Sequence, residues 1–200
     1  THENSSAASD VYKRQELTPF RVESIEEAGL GDRYCLDFLS AFSRGEGLLV
    51  GSSAQSLFLV HSETIPSTFV PTRSFRVNAG SPHSYIMMAD GSTMYLAELS
   101  AGDAALAVGA SGLTREVILG RVKIEKRPMM KISCKTRTES HQNANTSHIF
   151  MQQAETVRLV SDTSTAVSVT DLACNQCVLG WEGPVSYTHL RAHETWSYRV

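Results

Sequence analysis

The 200-residue sequence predicts a mainly β protein made of compact β-barrel-like units, with few short helices. Polar and apolar residues alternate over 121–125, as they do along a half-buried strand. Asp90-Gly91 separates two strand-like runs, and both residues tolerate the positive φ angles of a type I′ hairpin turn. Segments with a helical period are scarce, and only 35–43 and 52–58 are candidates for short helical turns.

Further segments have the pattern of strands. Residues 156–159 and 166–170 alternate between polar and apolar side chains. The apolar runs 47–50 and 57–60 have the length of strands that are buried on both faces. Ala110-Ser111-Gly112 supplies turn residues before another strand-like run, 113–122.

A weak internal repeat indicates that the β units are related. Gly31-Asp32 and Gly102-Asp103 each precede a strand-like run, and 171–176 parallels 98–103, with Asn175-Gln176 at the place of Gly-Asp. Glycine permits an unusual backbone turn, and aspartate binds local N–H groups. The three copies follow one another at nearly equal intervals along the sequence. Chance recurrence of a common turn motif is the alternative explanation.

The composition limits the class of partner and the compartment. The formal net charge is −3, and nucleic-acid binding requires clustered basic residues, so we expect no nucleic-acid partner. No apolar stretch is long enough to span a membrane, so we expect no membrane partner. Four cysteines without an apolar signal core indicate a reducing compartment. We therefore expect the cytoplasm, or a plastid if the source is a photosynthetic eukaryote.

Both ends of the chain look like translated adaptor DNA from transposase-based sequencing libraries. The codons that would encode 10–15, when reverse-complemented and read in a shifted frame, give Val-Ser-Tyr-Thr-His, which is found at 185–189. One inverted-repeat DNA thus accounts for both flanks. We expect 1–15 to be adaptor-derived and disordered, 16–184 to be the natural insert, and 185–200 to be adaptor-derived and trailing residues.

A glycine-rich segment, 44–52, surrounds one carboxylate. Its glycines could allow the backbone to approach a ligand closely, and Glu46 could act as an acid or base. Ser52 ends the segment and is a second-rank candidate. A tight turn into a strand is the alternative, and the sequence favours it because turn glycines are common.

Polar residues also follow the apolar run 57–60. His61 with Glu63 could form a proton shuttle, or His61 could be a satisfied histidine at a strand end. In 73–83, two arginines and an asparagine could bind an anionic substrate group, with a histidine nearby; a solvated loop is the alternative. These four residues are Arg73, Arg76, Asn78 and His83.

Two further motifs carry weaker signals. Residues 151–158 place amides and Glu155 at the entry to a strand, where they could bind a hydroxylated ligand or cap backbone groups. Cys174 and Cys177 have the spacing of a metal motif, but a structural zinc site needs a second pair. We therefore expect no metal, and two reduced cysteines that flank a turn.

The same segments, in the same order, resemble the C-terminal region of the archaeal-type 3-dehydroquinate synthases, the 3-dehydroquinate synthase II family. Departures from the family pattern occur at 35–39, Gln153 and Asn175-Gln176. The matching stretches cover nearly the whole insert: VESI (22–25), GEGLLVGS (45–52), LFLVHSE (57–63), RSFRVNAGSPHSY (73–85), YLAEL (95–99), GRVKIEKRP (120–128), QQAETVRLV (152–160) and VSVTDL (167–172).

The resemblance implies an NAD-dependent oxidative deamination of an amino dideoxy heptulosonate, followed by ring closure to 3-dehydroquinate in aromatic amino-acid biosynthesis. It implies proton-transfer roles for His61, Glu63 and His83, and substrate binding by Arg73, Arg76 and Asn78; Glu46, Ser52 and Glu155 are second-rank. A family member has a sizeable N-terminal portion, so we expect this chain to be an inactive fragment that lacks much of the NAD site. A non-catalytic β-barrel binding module of shared ancestry is the competing hypothesis.

Overall fold

The computed structural model describes residues 14–67, 70–136 and 146–183. These residues form twelve strands and one 3-10 helix, Leu96–Glu98. No helix in this part of the chain is long and apolar enough to cross a membrane. The strands are β1 (Thr18–Phe38), β2 (Glu46–Ser53), β3 (Ser56–His61), β4 (Arg76–Gly80), β5 (Tyr85–Met87), β6 (Thr93–Tyr95), β7 (Ala104–Gly109), β8 (Thr114–Thr136), β9 (Thr146–Gln152), β10 (Arg158–Val160), β11 (Ala166–Ser168) and β12 (Cys177–Glu182).

The strands belong to one antiparallel sheet, which confirms the mainly β prediction. Pairings run in the order β3–β12–β1–β8–β7–β2, and β2 also pairs with β3, so these six strands close into a ring. The β10–β11 and β5–β6 pairs extend the sheet, while β4 pairs with β1 and β9 with β8. The long strands β1 and β8 pair along almost their whole length and connect these parts.

The helical candidates 35–43 and 52–58 are wrong. The first begins inside β1, where Leu36 and Phe38 enter the core, and the second is the β2–β3 turn with its flanking strand residues. The second candidate was wrong because strand β3, which it enters, is buried on both faces. Phe58 and Val60 face the main core, whereas Leu57 and Leu59 belong to a second apolar cluster. Such a continuous apolar run is also compatible with a short helix when it is read from sequence alone.

The repeat that relates Gly102 to Asn175 is a true structural repeat. The backbone N–H of Gly102 donates to the Leu119 carbonyl at 2.7 Å, and that of Asn175 donates to the Val22 carbonyl at 2.8 Å. Gly102 and Asn175 have φ angles of 98° and 70°. Asparagine is among the residues that tolerate this left-handed conformation best, which explains how it replaces glycine in the second copy.

The side chains that follow these turn residues are also equivalent. Asp103 Oδ2 accepts the Ser100 N–H at 2.7 Å, and Gln176 Oε1 accepts the Ala173 N–H at 2.9 Å. The third copy, Gly31-Asp32, does not share this structure, because it lies inside β1 in register with β8. The predicted repeat that relates Gly31 to Gly102 is therefore wrong.

The predicted hairpin at Asp90-Gly91 joins β5 to β6. A type I′ turn requires a positive φ at both central residues. Only Gly91 has one, at 86°, so the turn is of another type. Ser164 holds the equivalent position in the β10–β11 turn and has a φ of 61°. The second copy thus places serine where the first has glycine.

The two flanks lie mostly outside the described residues, since 1–13 and 184–200 are not described. The prediction that 1–15 is disordered therefore falls mostly on residues outside the described part. Of its two described residues, Arg14 forms a β-bridge with Leu113, and Gln15 donates its N–H to the Gly112 carbonyl at 2.8 Å.

Candidate active site

The candidate site is a network of charged and amide side chains on one face of β1 and β4. Successive side chains of a strand alternate between faces. Val77 belongs to the main core, so its neighbours Arg76 and Asn78 point away from that core. In the antiparallel register, Arg76 lies opposite Asp37 and Asn78 lies opposite Cys35. The sheet therefore brings together residues that are far apart in sequence.

Asp37 and Arg76 form the buried centre of this network. The guanidinium donates to the two carboxylate oxygens at 2.7 and 2.9 Å, and both residues are buried. Arg121 donates to the same carboxylate from the exposed side, with an Nε–Oδ2 distance of 2.9 Å. Burial alone would raise the pKa of Asp37, but the hydrogen bonds from the two arginines hold it below its usual value. Asp37 is thus a fixed anion.

Glu63 lies beside this ion pair. Its backbone N–H donates to the Arg76 carbonyl at 2.8 Å, and its carbonyl accepts the Arg73 N–H at 2.9 Å. Its carboxylate contacts Arg73 Nη1 at 3.4 Å. Burial raises the pKa of Glu63 above its usual value and outweighs the opposing effect of the neighbouring arginines. A carboxyl group whose pKa is raised toward neutrality is suited to general acid–base catalysis.

Gln152, the last residue of β9, connects β1 with β4. Its Oε1 accepts hydrogen bonds from Arg33 Nη1 at 2.9 Å and from Asn78 Nδ2 at 2.8 Å. Arg33 also forms an ion pair with Glu125 of β8. Arg33 and Asp37 were not predicted as site residues, and Gln152 was predicted only as one of the amides of 151–158 that could bind a hydroxylated ligand or cap backbone groups. The alternation of Arg33, Cys35 and Asp37 along one strand was the available signal.

His61 occupies a different position. Its Nε2 accepts the Gly45 N–H at 2.9 Å, so the proton resides on Nδ1, which donates to the Ser62 carbonyl at 2.6 Å. Burial lowers the pKa of His61. Leu59, on the same strand face, belongs to the second apolar cluster, whereas the network lies elsewhere. The structure therefore does not bring His61 to Glu63. It gives His61 two backbone partners, Gly45 at the turn before β2 and Ser62, the next residue along the chain.

His83 and Ser52 form a separate pair. Their side chains are 3.4 Å apart, and the His83 ring packs edge-on against Phe150 at 5.3 Å between centroids. Ser52 lines a cleft together with His148 and Glu182. The structure thus brings together Glu63, Arg73, Arg76 and Asn78, but it places His83 and Ser52 outside this group. The predicted proton-transfer role of His83 stays a prediction.

The two remaining carboxylates are also outside the network. Glu46 accepts two hydrogen bonds from Arg115, at 2.6 and 2.8 Å, and one from the Ser43 N–H at 2.7 Å. Burial would raise the pKa of Glu46, but these donors lower it. Glu155 is exposed and lines a shallow cleft together with Arg158. Their second-rank roles stay predictions.

The glycine-rich segment is covered by protein at Gly47 and Gly51, whereas its first residues, Arg44 to Glu46, line a surface cleft. A Cβ on Gly47 would lie 1.9 Å from the Val60 carbonyl oxygen, and one on Gly51 would lie 2.4 Å from the Ser56 oxygen. These glycines let β2 and β3 pack closely, in agreement with the favoured interpretation as a turn into a strand. In the open part, the N–H groups of Ser43 and Gly45 are already bound to Glu46 and His61. The segment therefore does not fit NAD, whose pyrophosphate needs exposed backbone N–H groups.

The cysteines have no metal partners in the described part of the chain, where no three His, Cys, Asp or Glu side chains are grouped to hold a metal ion. Burial raises the pKa of Cys35 to about 11, so this thiol is neutral at physiological pH. Cys174 and Cys177 are unbridged and flank the turn at Asn175.

Fold and network together define an all-β domain with a buried ionic cluster. The chain belongs to the 3-dehydroquinate synthase II family, because the sequence model of that family's C-terminal domain matches residues 19–187. This confirms the resemblance seen in the sequence. No solved structure matches the chain.

The names of similar proteins agree with this family assignment. A 3-dehydroquinate synthase of Methanococcus maripaludis strain S2 is 47% identical over 158 residues, covering 79% of this chain and 42% of the relative. Those of Methanococcoides burtonii and Methanoculleus marisnigri are 42% and 43% identical, covering 90% and 82% of this chain and 46% and 48% of the relatives. The chain thus spans less than half the length of these relatives.

Proposed function

We propose that this chain is the C-terminal part of an enzyme that forms 3-dehydroquinate in aromatic amino-acid biosynthesis. The proposed substrate is an amino dideoxy heptulosonate, which undergoes NAD-dependent oxidative deamination and then cyclises. The names of the relatives support the product. Since the glycine-rich segment does not fit NAD, the proposed cofactor site lies in the part of the parent protein that precedes this domain.

The buried position of Glu63 beside arginines is the observation that carries the proposal. The cyclisation is an intramolecular aldol reaction, in which a proton leaves a carbon next to a carbonyl group and another reaches the new hydroxyl. A carboxyl group with a raised pKa can accept the first proton and return it. Glu63 is therefore the proposed acid–base group of this domain.

Arg73 is the proposed anchor for the substrate carboxylate. Its side chain is 37% exposed and contacts Glu63, whereas Arg76 is buried and bound to Asp37. An arginine at the surface can exchange a protein partner for a carboxylate ligand through paired N–H donors. The role of Arg76 is then to hold Glu63 and Arg73 through its backbone contacts.

A chimera tests the proposed function. Residues 16–183 would replace the corresponding domain of the Methanococcus maripaludis relative, and 3-dehydroquinate formation would be measured. We expect an active chimera, and a loss of about 100-fold or more in kcat for Glu63→Gln, as for removal of a general acid–base group. Glu27→Gln, which changes an exposed carboxylate outside the candidate site, should retain activity.

The same chimera separates the enzyme from the non-catalytic binding module. A folded chimera that makes no product would favour the module. Equal rates for Glu63→Gln and the parent chimera would contradict the acid–base role of Glu63.

The proposed location is the cytoplasm, because the four cysteines are unbridged.

A further inference from the structure

Two large apolar side chains, Leu39 and Phe75, lie exposed beside the candidate site. Leu39 is 76% exposed and Phe75 is 39% exposed, and neither belongs to the two apolar clusters of the described residues. Their chain segments are neighbours, because the Phe38 N–H donates to the Phe75 carbonyl at 2.9 Å and the Phe42 N–H donates to the Ser74 carbonyl at 2.7 Å. Apolar residues that are exposed singly are normal, whereas neighbouring ones indicate a surface that another domain or molecule covers.

The segment that carries Phe75 also holds Glu63 in place. Arg73 to Arg76 form a turn, in which the Arg76 N–H donates to the Arg73 carbonyl at 2.8 Å. The Glu63 backbone binds this turn at both ends, because its N–H donates to the Arg76 carbonyl and its own carbonyl accepts the Arg73 N–H. Phe75 therefore lies in the same turn as Arg73, the proposed anchor for the substrate carboxylate.

Leu39 borders the network from the other side. It follows β1, and its side chain lies against Gly120 of β8, where a Cβ would be 3.1 Å from Leu39 Cδ2. The next residue, Arg121, forms an ion pair with the Asp37 carboxylate. These backbone and side-chain contacts bring Arg73, Phe75, Leu39 and Arg121 to one region, which we call the Leu39–Phe75 surface.

The exposed charges of the Leu39–Phe75 surface are cationic. The side chains of Arg73 and Arg121 are 37% and 64% exposed, whereas their partners Glu63 and Asp37 are buried. Asp37 is shared between two arginines, and burial raises the pKa of Glu63, which favours its uncharged form. Apolar side chains together with arginines are typical of protein interfaces. A complementary partner would present apolar side chains with acidic groups around them.

The proposed reaction indicates which partner covers this surface. Its hydride transfer and its ring closure act on the same substrate molecule, and reacting atoms must approach each other to about 3–3.5 Å. The proposed acid–base group, Glu63, lies in this chain, whereas the proposed cofactor site lies in the preceding part of the parent protein. The two parts must therefore meet where the substrate contacts Glu63. The similar proteins contain such a further part, since this chain covers between 42% and 48% of their length.

We propose that the Leu39–Phe75 surface is the contact between this domain and the preceding part of the parent protein, and that the active site lies between the two. This inference rests on the proposed function and deepens it, because it names the partner that completes the Glu63 site. Contact at this surface would exclude water from the exposed side of Arg73. The attraction between that arginine and a substrate carboxylate becomes stronger when water is excluded.

Cysteine labelling tests this contact without any measurement of turnover. Leu39→Cys and Phe75→Cys would each be treated with a maleimide, both in the full chain and in the chimera, and mass spectrometry would locate the label. We expect both sites to react at least about tenfold more slowly in the chimera, because each thiol reacts only when the contact opens. Leu30→Cys is the matched control, since Leu30 is also 76% exposed but lies in the middle of β1, and it should react equally in both proteins.

A charge introduced into the surface gives a second test. In the Phe75→Cys chimera, Leu39→Asp should speed labelling at position 75 by about tenfold or more, because it places a carboxylate in an apolar contact. Leu30→Asp should leave that rate unchanged. Equal labelling of positions 39 and 75 in the chain and the chimera would overturn the proposal. Slow labelling of the chain alone that becomes faster on dilution would also overturn it, because a second copy would then cover the surface.

The contact and the proposed function can fail separately. A folded chimera that forms no product but protects positions 39 and 75 would support the contact and contradict the proposed function. An active chimera in which both positions react as fast as in the chain would contradict the contact and leave the proposed function standing.

Discussion

Asp37 and Arg76 are 39 positions apart in sequence and form a two-pronged ion pair in which both partners are buried. The register between β1 and β4 places them directly opposite each other. This pair fixes the strand that carries Asn78 and the segment that carries Glu63, so the geometry of the candidate site depends on it.

Removing the carboxylate charge should therefore be costly. Asp37→Asn leaves the Arg76 guanidinium buried without a counter-charge, and we expect unfolding by urea to show a loss of about 3 kcal/mol. Asp32→Asn is the matched control, because its partner Lys126 is 76% exposed, and it should cost less than about 1 kcal/mol. Equal losses for the two variants would show that the buried pair does not hold the site.

Glu63 should make stability depend on pH. Its folded-state pKa lies above the usual value of 4.5, so the folded protein binds this proton more tightly than the unfolded chain does. The contribution is present below pH 4.5 and is lost as the pH rises through the folded pKa. In urea unfolding between pH 4 and 8, Glu63→Gln should gain stability relative to the parent chain as the pH rises. A constant difference across this range would rule out the raised pKa.

His61 should make stability depend on pH with the opposite sign. Burial lowers its pKa from the usual 6.5, so its contribution is present above that pH and is lost as the pH falls through the folded pKa. We expect the chain to lose stability between pH 7 and pH 5, and His61→Gln to lack this part of the loss. If the variant and the parent chain show the same slope, His61 is not held as a neutral ring by Gly45 and Ser62.

Gly47 should tolerate no side chain. A Cβ there would lie 1.9 Å from a backbone oxygen that belongs to the paired strand, and backbone atoms cannot rotate away. Gly47→Ala should lose at least about 2 kcal/mol in thermal or urea unfolding. Gly109→Ala is the control, since its nearest neighbours would be at ordinary contact distances of 3.6 and 3.8 Å. Similar midpoints for both variants would contradict the close packing of β2 and β3.

The sequence predicted the strands better than the site. The continuous apolar run 57–60 is typical of a buried strand or a buried helix, and it forms a strand. The turn motif at Gly102 recurs at Asn175 with equivalent hydrogen bonds. The helical candidate 35–43 failed because Asp37 is a buried charge whose partner lies on another strand. Local periodicity carries no information about such a partner.

The site was only partly predictable for the same reason. The candidates His61 and His83 lie in two neighbouring polar stretches of the sequence, yet His61 contacts the turn before β2, and His83 contacts Ser52. Glu63 and Arg76 do meet, through backbone contacts. Arg33 and Gln152 complete the network from β1 and β9, 119 positions apart in sequence. Only the sheet pairing reveals that these two residues are neighbours.

We propose that this chain is one part of an NAD-dependent enzyme and forms no product without the other part. NADH formation with the amino dideoxy heptulosonate substrate tests it most directly, measured side by side for the full chain and for the chimera with the Methanococcus maripaludis N-terminal part. We expect NADH from the chimera and none from the chain. NADH formed by the chain itself, or a folded chimera that forms none, would contradict it.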